Sequence, residues 1–140
     1  MKKLILVALV FCCFSFTSLP VNKSLIEDQA TIYIYQSGQF ANKGNGWLMF
    51  LDQNKICTPG NNSYIKLTVN KGRHTISLKN NTVHSFKDPK TVTIDTEAGQ
   101  SYYIACNSSK DYKRVKFEIK QVAKSIADQQ MKSKAAQECR

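Results

Sequence analysis

Long hydrophobic runs are nearly absent from this 140-residue chain. The single extended one, Leu4 to Phe16, holds 13 residues interrupted only by Ser15, whereas a spanning helix needs about 20. A polytopic membrane protein is excluded. No internal repeat or low-complexity block is present, so solenoids and linkers are excluded too. No Cys-x-x-Cys occurs, and His74 and His84, the only two histidines, stand apart from any second ligand in zinc spacing. A metal site and a cofactor are therefore not expected. Nor is there a Gly-x-Ser-x-Gly elbow for a nucleophile. Acidic residues number 10 against 20 Lys and Arg, giving a net charge of +10. With 42% hydrophobic and 21% charged residues, the profile is not that of a disordered chain. The length suits one domain with a sizeable core.

What is present begins with an address. Lys2 and Lys3 precede the apolar run, Thr17 and Ser18 follow it, and Leu19-Pro20 breaks any helix. This is the layout of a secretory signal peptide over 1–18. The expected location is periplasmic, envelope-associated or secreted, with no transmembrane helix in the mature chain. Lipid anchoring at Cys12 or Cys13 is the disfavoured alternative, because Phe11 and Cys12 stand where a small residue belongs. Removal of 1–18 leaves a charge of +8 and three cysteines: Cys57, Cys106 and Cys139. In an oxidising compartment two can pair. Cys57 and Cys106 form the candidate disulfide, since both lie in the strand-rich body, with separate burial of each as the alternative. Cys139, next to the last residue, is expected to be mobile.

Residues 19–29 read as a polar lead-in, and from Ala30 the period is two. Thr31, Tyr33 and Tyr35 alternate with Ile32 and Ile34, a half-buried strand pattern. A glycine-rich loop (38–46) precedes the apolar run Trp47–Leu51, which suits a strand buried on both faces. Trp47 is assigned to the core. Ile65, Leu67 and Val69, then Ile76 and Leu78, flank Asn70-Lys71-Gly72-Arg73 and predict a hairpin. Further strands are expected around Val92–Ile94, Tyr102–Cys106 and Val115–Ile119. After Gln121 the alternation stops. Val122 and Ile126 share a helical face there, and a short helix, packed at its start and frayed at its end, is expected in the tail 121–140. The sum is mainly β: about eight short strands over 30–120, forming a small antiparallel β-sandwich or open barrel with a short C-terminal helix.

Residues 30–120 resemble the bacterial domain of unknown function 2846 family. The matching stretches are Thr31–Tyr35, Met49–Asn54, Ser63–Leu67, Gly72–Thr75 and Glu97–Tyr103. Asp52-Gln53 replaces the family's usual Asp-Gly, and Asn70-Lys71 replaces its usual Pro before Gly72. The resemblance implies a prealbumin-like or Ig-like sandwich of bacterial envelopes, secreted or lipid-anchored, with no catalytic residues.

Function is less sharply marked. Lys110, Lys113, Arg114, Lys116 and Lys120 crowd one segment around Tyr112 and Phe117. Tyr112, Lys113, Arg114 and Lys116 are the candidate surface contacts, suited to a protein partner or an anionic envelope surface. Nucleic acid is excluded as a partner by export. The six tyrosines, Tyr33, Tyr35, Tyr64, Tyr102, Tyr103 and Tyr112, suggest either a binding platform or cross-strand packing. A non-enzymatic binding module is the leading expectation. The alternatives are a secreted inhibitor or immunity-type protein, and a hydrolase in which His74, Asp95 and a Ser or Cys converge.

Overall fold

A computed structural model describes residues 28–38, 47–80, 89–111 and 114–139. The leader with Cys12 and Cys13, the lead-in up to residue 27, most of the glycine-rich loop, His84, Tyr112 and Lys113 lie outside the described residues. Among those described, no helix is long and apolar enough to cross a membrane.

Among the described residues nine strands and one helix are formed: β1 (Gln29–Gln36), β2 (Trp47–Leu51), β3 (Asn54–Ile56), β4 (Ser63–Asn70), β5 (Gly72–Asn80), β6 (Lys90–Thr96), β7 (Ser101–Asp111), β8 (Arg114–Val122), α1 (Lys124–Met131) and β9 (Ala135–Gln137). One sheet has the order β8-β7-β1-β4-β9 and the other β3-β2-β5-β6. The two-residue rhythm decides what lies between them. Ala30, Ile32 and Ile34 of β1, Ile65 and Val69 of β4, and Ile104 and Cys106 of β7 face Met49, Ile76, Leu78 and Ile94 of the second sheet in one buried cluster. Each fully buried Ile or Leu contributes roughly 1.5–3 kcal/mol, so this layer holds the sandwich together.

The sandwich departs from the expected antiparallel one in its mixed first sheet. There β1 runs parallel to β7, with Ile34 beside Ile104, and β9 runs parallel to β4. The hairpin expected at Asn70–Arg73 is a corner instead. β4 pairs with β1 while β5 pairs with β2 and β6. Both flanking strands carry core-directed residues, so they face one another across the core rather than lying side by side. Gly72, at φ 139°, supplies a conformation that side chains rarely adopt at this bend. A true hairpin joins β2 to β3. Its two turn residues, Asp52 (φ 48°) and Gln53 (φ 72°), both sit in the left-handed region that the family's Asp-Gly would favour.

The outer faces of the two sheets differ. On the five-stranded sheet, Tyr35, Tyr103 and Ala105 are buried beneath α1 through Ala127, with Tyr33, Tyr64, Val122 and Met131 around them. The helix therefore presents Ala127 to the sheet, and Ile126, expected on the packed face, stays 47% exposed. The tail does not fray after the helix, because β9 extends the sheet edge. On the four-stranded sheet no described element covers the outer side. Leu48 and Phe50 are half-buried there, so β2 is buried on one face only and not on both as its apolar run suggests.

Candidate binding surfaces and the two ends of the sandwich

The hydrolase alternative requires His74 to meet Asp95 and a nucleophile. His74 Nδ1 lies 2.6 Å from Asp52 Oδ2, and Nε2 lies 2.7 Å from the Asn70 carbonyl oxygen. Neither partner can donate, so both ring nitrogens carry protons and the imidazolium fits best. Partial burial pushes the His74 pKa down, but the Asp52 hydrogen bond, the Asn70 carbonyl and the Asp52 charge outweigh it and hold the pKa above the usual 6.5. Asp52 shows the mirror image. Burial raises it, while the Thr75 amide, His74 hydrogen bond and His74 charge bring it below the usual 3.8. Because Asp52 also accepts from Thr75 N at 2.8 Å, the pair clamps the β2–β3 turn to the start of β5.

Asp95 does not join this group. In the β5–β6 register His74 stands opposite Ile94 and Arg73 opposite Asp95. Adjacent residues point to opposite faces, and Asp95 accepts from Arg73 Nε at 2.9 Å. Cys106 is buried, and burial pushes its thiol up to about 12, so it holds no thiolate near neutral pH. His74, Asp95 and a nucleophile are not brought together. Among the described residues no group of three or more His, Cys, Asp or Glu side chains is placed to hold a metal ion.

The disulfide differs from the expected Cys57–Cys106 pair. Cys57 bonds Cys139, with Cα atoms 5.5 Å apart, within the usual span of a disulfide. Cys106 stays reduced in the core. Its parity with Ile104 along β7 was the available signal, since it aims the thiol into the layer between the sheets. Cys139 reaches Cys57 because β9 docks on β4. Gln137 fixes that docking: its Oε1 accepts from Gly60 N at 2.9 Å and Ser63 Oγ at 2.6 Å, and its Nε2 donates to the Thr58 carbonyl at 3.2 Å. The Lys134 ammonium adds a bond to the Asn61 carbonyl at 2.9 Å.

The five described tyrosines, Tyr33, Tyr35, Tyr64, Tyr102 and Tyr103, are packing rather than an open platform. Tyr33 stacks on Tyr103 with centroids 5.2 Å apart and planes 9° apart, and meets Tyr64 at 6.0 Å, tilted by 54°. The buried Tyr35 hydroxyl donates to Gln130 Oε1 at 2.8 Å. Tyr102 lies against the core cluster, and its oxygen accepts from Glu97 N.

The basic segment occupies a distinct position. β7 pairs with β1 only from Ser101 to Cys106, the last opposite Gln36. Beyond that point β7 and β8 continue together, to Asp111 opposite Arg114. Five β7 residues past the end of β1 thus form a two-stranded arm. Lys110, Arg114 and Lys116 have backbone positions on it, while Tyr112 and Lys113, at its tip in sequence, fall outside the described residues.

These features define a helix-backed, disulfide-closed β-sandwich. The chain belongs to the family described as "Protein of unknown function (DUF2846)", whose family model matches residues 26–118. No curated protein and no solved structure matches it.

Proposed function

We propose that this chain is an exported, non-enzymatic sandwich module, prealbumin-like or Ig-like in its layering, that docks onto a partner protein or an anionic envelope surface. The observation that carries this reading is the arm. β7 and β8 run on together past the end of β1, and the backbone of Arg114 and Lys116, two of the four candidate contact residues, lies on that extension, which supports the reading. The Cys57–Cys139 bond supports an oxidising compartment. The basic n-region and short apolar run support export by a cleaved leader.

Fractionation of cells expressing the full chain, followed by mass spectrometry, tests the reading. The expected product lacks the leader, holds the Cys57–Cys139 link, and leaves the envelope fraction when salt is raised. Full-length, reduced protein in the cytosol would overturn it.

A further inference from the structure

The Cys57–Cys139 bond joins strands that lie at the margins of different sheets. β3 ends the four-stranded sheet and β9 ends the five-stranded one. Cys57 follows β3 directly, and Cys139 stands two residues past β9. The bond therefore ties the two sheets together along one side of the sandwich. Apart from it, the stretch beyond α1 is lightly held. β9 pairs with β4 through Ser63, Tyr64 and Ile65, and Ala135 and Ala136 are exposed. Its side-chain ties are polar: Gln137 reaches Gly60, Ser63 and the Thr58 carbonyl, and Lys134 reaches the Asn61 carbonyl. Such bonds compete with water and contribute little each. The helix has its own anchors, Ala127 and the Tyr35–Gln130 bond. The core between the sheets draws no residue from 132–139. The sandwich thus does not depend on this stretch, while the stretch depends on the covalent link.

The two sulfurs also differ in access. Cys139 is exposed, whereas Cys57 is half-buried against the core. Cys106 is sealed inside that core. We infer that residues 132–139 form a redox-operated strap, released from the edge of β4 by thiol–disulfide exchange at Cys139. A dithiol reductant supplies the two electrons. One of its thiolates attacks the Cys139 sulfur, the S–S bond breaks, and Cys57 departs as a thiolate and takes up a proton. The reductant's second thiolate then attacks the reductant's own sulfur in the mixed disulfide. Cys139 is released and protonated, and the reductant ends as a disulfide. Among the described residues nothing pairs with the outer edge of β4 beyond Ile65. Release of the strap therefore opens that edge along all 8 residues of the strand. The switch is separate from the binding role proposed for the arm, and either can fail without the other.

Hydrogen exchange of the purified, oxidised protein with and without dithiothreitol tests the strap. Reduction should speed exchange in Ala135–Gln137 and in Ser63–Ile65 by about tenfold or more, and leave β5 and β6 within about twofold. Oxidised glutathione, added after the reductant is removed, should restore the original pattern. Cys139→Ser should show the released pattern with or without reductant. Reduced glutathione, a monothiol, followed by alkylation and peptide mapping, should place the glutathione adduct on Cys139. Unchanged protection of β9 after reduction overturns the strap. Equal loss across β5 and β6 shows a link that holds the whole sandwich, which overturns it too. Failure to recover on reoxidation overturns the switch, and an adduct on Cys57 overturns the route of attack.

Discussion

The two outer sheet faces are built on the same two-residue alternation and end in different surroundings. On the five-stranded sheet the outward residues of β1 and β7 are Tyr33, Tyr35, Tyr103 and Ala105, and a helix settles on them. On the four-stranded sheet they include Thr75, Thr93, Arg73 and Asp95. There Thr75 and Thr93 lie 3.3 Å apart across the strands and Arg73 bonds Asp95. Large aromatic side chains leave apolar area that favours a cover, whereas hydroxyls and ion pairs are satisfied beside water. Outward side-chain chemistry, not strand periodicity, thus decides whether a sheet takes a third layer.

Truncating each face measures that difference. Tyr35→Ala should cost about 3–5 kcal/mol, the range for a buried aromatic, and Phe50→Ala well under half as much, because its ring is only half-buried. Equal urea-unfolding losses would show that the helix-covered face is no more tightly held than the bare one. Cutting the tether comes next. Cys139→Ser should lower stability by about 2–4 kcal/mol, since the bond closes a long loop with a sequence separation of 82. Hydrogen exchange should show residues 124–137 losing protection first, with β5 and β6 following only on global unfolding.

Gln137→Ala should cost about 1 kcal/mol by removing the hydrogen bonds from Gly60 N and Ser63 Oγ to its side chain. Its effect should shrink in the Cys139→Ser background, where the strap is already loosened, and a double-mutant cycle reads the coupling.

The smallest effect belongs to the four-stranded sheet. His74 is raised above 6.5 in the folded state, so its contribution is full below 6.5 and fades as pH rises through the elevated value. Asp52 is depressed, so its contribution is full above 3.8 and fades as pH falls through the lowered value. The clamp is strongest between those limits. His74→Ala should flatten the alkaline side of a melting-temperature profile by the equivalent of about 1 kcal/mol, while Cys139→Ser should leave the profile's shape intact.

Legibility in the sequence follows the range of the signal. Ile32, Ile34, Ile65, Ile76 and Ile104 announce the core because alternation is local, and seven of the nine described strands lie where the sequence pattern puts them. Ala135–Gln137 gives no such signal. Alanine and glutamine have little strand preference, and β9 exists because Gln137 and Cys139 find partners far away in sequence. The same distance hid the Cys57–Cys139 pair. Asn70–Gly72 reads as a hairpin turn because a corner between sheets uses the same residue types. The arm was visible only as a charge run, since nothing local in β7 shows where β1 ends beside it.

One consequence concerns orientation. β1 spans about 23 Å from Gln29 to Gln36 at the usual rise per residue. Whatever precedes Asp28 leaves from the end where β1 begins, and the arm projects from the far one. A molecule held by its leading segment would therefore stand with the β7–β8 extension directed away from its support, like a probe reaching outward from a fixed base.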